Sequence, residues 1–383
     1  MTDICIIGGG ASGLAAAVAA RMQNPGAAIR IIEKKDKTGS KLLATGSGRC
    51  NFTNTACEES GMVLAFFEMI GVKARVEEQG RIYPFNGQAK DVLFALESYI
   101  NMHNVEVITN FGVEELAFSS GEIVVCRGKE RFPARKALIA TGGKAGPQFG
   151  SIGDGYRMAR QAGHTVTKTI PSLSPVECEG NFSGLSGIRA KAAVTLLKKG
   201  EALFAETGEV QFTEYGLSGI CVFDLSRFIR LDGADFSDYA ISVDFFPGLS
   251  EGELDGELRL RAENPAISAE NLLLSLVPRG LSDFVLKKAG GGAANAGETV
   301  RIAHTLKNLK FTVSGVKGWK SAQCTSGGVP LSEINMDTME SKIVKGLFFA
   351  GEIIDYDGPC GGYNLNNAWV TGIRAGRAMA SDV

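Results

Sequence analysis

The strongest restriction on the fold lies in the first 33 residues. A short apolar run, Ile4–Ile7, leads into Gly8-Gly9-Gly10-Ala11-Ser12-Gly13 and an Ala-rich stretch, about Ser12 to Gln23, that reads as a helix stopped by Asn24-Pro25-Gly26. A second apolar run, Ile29–Ile32, ends in Glu33. Strand, glycine turn, helix, strand is one βαβ unit, parallel and right-handed by default. The glycines match G-x-G-x-x-G. A lone match says little, but this one follows a strand, opens a helix and has an acid twenty residues after its last glycine. Gly8 permits the tight turn, Gly10 lets the backbone approach a pyrophosphate, and Gly13 lets helix and strand pack closely. Ala11 and Ser12 sit at the helix N-terminus, where free N–H groups and partial positive charge favour phosphate. Glu33 suits ribose hydroxyls of an adenosine half, with Lys34 beside it.

That pattern alone does not separate FAD from NAD. Two later features select FAD. Lys136–Ala140 rises into a buried strand closed by Thr141-Gly142-Gly143, where a second turn passes beneath the same dinucleotide. Near the other end, the apolar run Gly346–Ala350 closes on Gly351 and Glu352, an acid placed for the ribityl hydroxyls of a flavin; NAD has no such chain.

The remaining chain is long enough for two or three domains. Its 49 glycines in 383 residues, about 13% against a usual 7%, fall in short clusters beside apolar runs, as cofactor-cradling turns do. Gly39–Asn54 is polar and too irregular for a simple connection, so it is expected to line a site. Helices are expected near Met62–Ile70 and Ala89–Asn101, and a strand over Val105–Thr109. Glu114–Ala117 and Glu122–Cys126 suggest a small antiparallel excursion. After about Leu173 the pattern changes. Ala190–Leu197, Glu201–Phe204 and Tyr239–Phe246 look like strands of an antiparallel sheet or barrel, and Glu251–Leu286 like helices broken at Pro265 and Pro278. Strand character returns near Thr312, and a last helix runs from about Asn366 to Ala380. The expected architecture is α/β: a split Rossmann-like FAD-binding domain, residues 1–175 and 325–383, with an inserted antiparallel β-barrel-like domain, 176–249 and 300–324, and a small helical domain, 250–299.

Several stretches resemble a family of bacterial NAD(P)/FAD-dependent oxidoreductases that includes BaiN-like and aminoacetone-oxidase-like flavoproteins. One is Glu33-Lys34-Lys35 through Gly39, continuing as Lys41-Leu42-Leu43-Ala44-Thr45-Gly46-Ser47-Gly48-Arg49-Cys50-Asn51-Phe52-Thr53-Asn54. Phe212-Thr213-Glu214-Tyr215-Gly216-Leu217-Ser218-Gly219 is a second. Thr325-Ser326-Gly327-Gly328-Val329, then Thr338-Met339-Glu340-Ser341 and Asp357-Gly358-Pro359-Cys360-Gly361-Gly362-Tyr363-Asn364-Leu365, make the third. The likeness spans essentially the whole chain. Ser40 departs from it, standing where the family carries arginine. The resemblance implies non-covalent FAD, held also by Lys41, Gly48, Arg49, Cys50 and Asn51, and by Gly362, Tyr363, Asn364 and Leu365 at a helix N-terminus aimed at the flavin pyrimidine edge. It implies an oxidoreductase moving a hydride between the flavin and a small organic substrate or NAD(P)H, the insertion shaping the pocket. NADH or NADPH enters as a transient donor, because residues 176–324 hold no second strand–G-x-G-x-x-G–helix unit. Gly290–Gly292 with Gly297 reads as a loop.

Other classes fit less well. A net charge of −2 and short basic clusters give no footprint for nucleic acid, which argues against a tRNA-binding flavoprotein; that class and a non-catalytic FAD-binding flavoprotein are the alternatives to an oxidoreductase. No apolar run reaches the ~18 residues of a membrane span. Asp3–Ile7 enters a strand almost at once, without room for a signal peptide, and eight scattered cysteines suit free thiols in the cytoplasm. A flavin disulfide reductase needs a close cysteine pair, typically C-x₄-C; Cys50 and Cys57 have six residues between them, and Cys50 and Cys360 read as small buried residues. His103, His164 and His304 have no acid or metal partner at a telling spacing, and no cluster has metal-ligand spacing.

Overall fold

The opening apolar run becomes an interior strand, Thr2–Ile7, of a seven-stranded mixed sheet in the computed structural model, which describes residues 2–119, 121–229, 235–290 and 296–381. Ile4, Cys5 and Ile6 have no exposed surface, as a parallel strand covered on both faces requires. Ile4 and Ile7 pair with Ile29 and Ile32 on one side; Thr2 and Ile7 pair with Ala134 and Ile139 on the other. Glu106–Ile108 extends the sheet beyond Ile29–Ile32.

Strand Glu130–Ile139 is ten residues long, twice the segment its apolar run suggests. Its first half is largely exposed and forms an antiparallel meander with Glu122–Arg127 and Glu115–Ser119. Only the second half is buried on both faces, so only that half shows in the sequence. On the edge away from the first strand, Ala137–Ile139 pairs in parallel with Leu347–Phe349. This pairing brings the two distant strand ends, Ala140–Gly143 and Ala350–Glu352, side by side.

The last helix, Tyr363–Ser381, lies against the first, Ala11–Gln23. Gly372 and Gly376, one turn apart, let the backbones meet: a Cβ on either would sit 2.4 Å from the Ser12 carbonyl oxygen or 2.2 Å from that of Ala16. A three-stranded antiparallel sheet, Thr53–Asn54, Arg81–Pro84 and Ala74–Val76, was not legible. Strands of two to four residues are too short to show alternation.

The chain divides into two compact units, Met1–Ser172 with Ala322–Val383, and Leu173–Ser321. In the second, six strands close a barrel: Val176–Cys178, Arg189–Lys198, Glu201–Thr213, Gly216–Ser218, Tyr239–Asp244 and Leu309–Val316. Alternate residues such as Ala192, Val194 and Leu196, or Ile241 and Val243, fill its core. Helices Glu251–Glu263, Arg279–Lys288 and Ala296–Lys307 add Leu254, Leu258, Leu281, Val285, Ile302 and Leu306 to the same hydrophobic cluster. The reading of residue 300 onward as sheet needs correction. Thr299, Ile302, Ala303 and Leu306 are buried at helical spacing, so the helix runs to Lys307. Gly291 and Gly292 of the expected glycine loop lie outside the described residues.

Candidate cofactor site

At the first turn, Gly8 has φ +108, and a Cβ there would lie 2.5 Å from the Ala140 carbonyl oxygen. Gly13 approaches so closely that its Cβ would stand 1.9 Å from the Gly8 oxygen. Gly10 differs: a Cβ on it meets no atom within 4 Å. The open volume in front of Gly10 adjoins a helix whose N-cap is Gly10 itself, with no side-chain cap and no acid in the first turn. Glu33 borders it. Its Oε2 accepts from Gly9 N and its Oε1 from Lys35 N, both at 2.8 Å, so the carboxylate is fixed by the turn it serves. Ser40, on the next loop, leaves its buried Oγ without a hydrogen bond. An open backbone cradle, an immobilised acid and an orphaned hydroxyl fit the adenosine-pyrophosphate half of FAD.

The second expected acid, Glu352, is equally constrained. Its Oε2 takes the Lys41 ammonium at 2.6 Å and its Oε1 the Thr325 N–H at 2.9 Å. Lys41 and Glu352, 311 residues apart, are thus one ion pair. Thr325 is a node the sequence reading gave no role. Its hydroxyl accepts from Lys144 N at 2.8 Å and Ala145 N at 3.1 Å, pinning the turn after Thr141-Gly142-Gly143 to the strand that steadies Glu352. Tyr156 donates its hydroxyl to the Glu352 carbonyl at 3.3 Å. Burial, reinforced by the charges of Glu352 and Asp355, holds that phenol far above its ordinary range, so it stays a donor. Thr141 is covered by helix Asp154–Gln161, with Gly155 against its hydroxyl. Ser12 donates to Ala350 O at 3.3 Å, and a Cβ on Gly351 would meet that serine.

The remaining expected contacts are mostly braced within the protein. Lys34 pairs with Asp154 at 2.6 Å. Arg49 stacks 4.1 Å over the Tyr83 ring and pairs with Glu77 at 2.5 Å, the arrangement of a loop brace. Gly48 is exposed on that loop. Cys50 is wholly buried, and burial pushes its thiol up to about 12. All eight cysteines are thiols, and Cys360, expected to be buried, is half-exposed. Asn51, with its amide oriented to satisfy both ends, donates to Thr53 O and accepts from Gly362 N at 3.3 Å. Asn364 exchanges two 2.8 Å hydrogen bonds with the backbone of Gly358, closing the turn before the last helix. Leu365 packs on the main core, and Tyr363 is half-buried.

Two histidines have acid partners that spacing hid. Buried His164 reaches Glu333 at 2.8 Å through Nδ1 and Ser341 at 2.7 Å through Nε2, and His304 lies 3.1 Å from Glu251. Among the described residues no His/Cys/Asp/Glu group is placed to hold a metal, and no helix is long and apolar enough to cross a membrane.

The family model described as HI0933-like protein Rossmann domain matches residues 2–64 and 59–378. The chain is 34% identical to a 3-dehydro-bile acid delta(4,6)-reductase of Clostridium scindens, over 99% of each chain. It is 26% identical to a ribosomal RNA dihydrouridine synthase of Haemophilus influenzae, over 95% of each. Among solved structures, the 3-ketosteroid delta1-dehydrogenase of Sterolibacterium denitrificans in complex with 1,4-androstadiene-3,17-dione shares the fold. Its TM-score is 0.53 at 12% identity, covering 100% of this chain and 99% of that one. The open conformation of a flavocytochrome c3 fumarate reductase does so with a TM-score of 0.52 at 16% identity, covering 99% of this chain and 78% of that one.

Proposed function

We propose a reaction from one premise: this chain belongs to the HI0933-like Rossmann family, and it is a flavin-dependent oxidoreductase. The reaction is reduction of a carbon–carbon double bond conjugated to a carbonyl, in a small organic molecule. FAD is held without a covalent link, and NADH or NADPH serves as transient donor. The observation that carries the cofactor reading is the Glu33 carboxylate anchored on Gly9 beside the open face of Gly10. FMN has no adenosine half for that acid to meet. Support for the direction comes from the relatives: a delta(4,6)-reductase and a dihydrouridine synthase both put hydrogen onto an unsaturated substrate. Bound FAD supplies the hydride chemistry. The chain's own groups bind and orient: the Gly10 turn takes the pyrophosphate, Glu33 the ribose, and the Lys41–Glu352 pair the ribityl segment. Eight thiols suit a reducing cytoplasm.

Purified protein is expected to be yellow and to release FAD, identified by chromatography after denaturation. Under anaerobic conditions NADPH or NADH should bleach the flavin band, and an unsaturated ketone should restore it. Recovery of FMN alone ends the cofactor reading; restoration only by oxygen ends the reductase reading.

Glu352→Ala should weaken FAD binding by about 1–2 kcal/mol, the worth of a charge-assisted bond. Fluorescence titration of the apoprotein reads this as a dissociation constant roughly 5- to 30-fold higher. An unchanged constant moves the ribityl contact elsewhere.

A second reading, an RNA substrate, is favoured by the 26% identity to a ribosomal RNA enzyme. The net charge of −2 opposes it, since phosphate neutralisation dominates RNA affinity. Filter binding with ribosomal RNA at graded salt decides between them.

A further inference from the structure

Three arginines lie on the small three-stranded sheet and the loop before it, and one carboxylate serves two of them. Glu77 Oε1 takes Arg49 at 2.5 Å and Arg75 at 2.8 Å. These cations hold the Glu77 carboxyl below its usual range, the Arg49 hydrogen bond first. The third, Arg81, is half-buried, and among the described residues its guanidinium forms no hydrogen bond and no ion pair. Its nitrogens remain open to water and no carboxylate among the described residues claims them, so the guanidinium fork is available to an anionic ligand.

The position of Arg81 is well defined. It pairs in register with Asn54, whose Nδ2 donates to Gly361 O at 3.0 Å and Gln79 O at 3.1 Å. Gly361 has φ +116, and the point its missing Cβ would fill is a small notch. Asn54 Nδ2 stands 3.6 Å from that point, Arg81 Nε 3.7 Å and the Tyr363 ring 3.8 Å. The following residue cannot retreat, since a Cβ on Gly362 would lie 2.4 Å from Thr53 O. The Arg81 guanidinium thus borders the turn that opens the last helix.

We propose that Arg81 binds a carboxylate of the substrate in this notch and makes the enzyme selective for organic acids. The inference rests on the reading above, in which the Gly361–Leu365 turn borders the flavin. A planar guanidinium meets a carboxylate through two parallel hydrogen bonds, which a lysine ammonium cannot reproduce. The pyrophosphate is assigned to the Gly10 turn, which leaves Arg81 for the substrate.

The test uses FAD-loaded wild type, Arg81→Gln and Arg81→Lys, titrated with cinnamate and with cinnamamide, its neutral counterpart of the same shape. Binding is followed by the change in flavin absorbance. Wild type should prefer cinnamate by about tenfold or more, the scale of a hydrogen bond to a charged group. In Arg81→Gln the preference should fall to about one with cinnamamide affinity and FAD content unchanged, and Arg81→Lys should fall between, as a point charge without the fork. A preference unaltered in Arg81→Gln overturns the inference, as does a wild type that shows none. Loss of FAD from Arg81→Gln also overturns it, by making Arg81 a cofactor contact. A wild type that takes up no FAD overturns the functional reading, and this inference with it.

Discussion

Gly10→Val should give a folded, colourless protein. Gly10 has φ −84 and ψ −169, an extended conformation that valine adopts without strain, and a Cβ there touches nothing within 4 Å. The side chain would occupy only the space in front of the helix N-terminus, the volume assigned to the pyrophosphate. Stability should stay within about 1 kcal/mol of wild type, as for substitutions away from packed features. Flavin absorbance after desalting should be lost. Gly13 shows why Gly10 is the informative position: a Cβ on Gly13 would collide with Gly8 O at 1.9 Å, so any loss of flavin there would be confounded with loss of fold. A Gly10→Val protein that keeps its full complement of FAD would mean that this turn is not the phosphate site.

What the sequence reveals of this site depends on how far apart the cooperating residues lie along the chain. Gly8, Gly10, Gly13 and Glu33 fall within one βαβ unit, so their spacing carries the geometry. The structure adds only that Glu33 is clamped on Gly9 and Lys35. Glu352 was legible because a buried strand precedes it. Its partners were not, because Lys41 lies 311 residues away and Thr325 bonds to Lys144 across 181. No periodicity records such contacts. Arg49 and Lys34 show the same limit: their motif marks them beside the cofactor loop, but their ion-pair partners Glu77 and Asp154, acids of no marked spacing, could not be read from it. Arg81 passed unnoticed because the significance of a lone arginine lies in what surrounds it. Elsewhere, strand Glu201–Thr213 was seen only to Phe204, since most of it faces outward and its middle is polar. Tertiary pairing, not local pattern, fixes such a strand.

Gly376→Ala should be among the most damaging single-methyl additions to the chain. Intrinsic helix propensity alone argues the other way: replacing glycine by alanine within a helix is worth about 1 kcal/mol in favour of folding. Gly256, in the exposed-faced helix Glu251–Glu263, should behave so, because a Cβ there meets nothing within 4 Å. At Gly376 the same methyl would stand 2.2 Å from Ala16 O and 2.9 Å from the carbonyl carbon, both backbone atoms that cannot rotate away. One turn earlier Gly372 presses on Ser12 in the same manner, so the two helices cannot pivot about one contact to relieve the other. They must separate, opening the Ala-lined core beneath, where Ala15, Ala16, Ala19 and Ala20 are buried. Overpacking of this kind costs about 1–3 kcal/mol and the backbone contact places it at the upper end, so a loss of about 2–3 kcal/mol in denaturant unfolding is expected. The displacement should also reach the cofactor site, because the same helix begins at Tyr363 and carries Asn364 and Asn366, which hold Gly358 and Thr53. FAD affinity should therefore fall along with stability in Gly376→Ala and remain unchanged in Gly256→Ala. Equal effects of the two substitutions on the unfolding midpoint would show that the first and last helices are not in backbone contact.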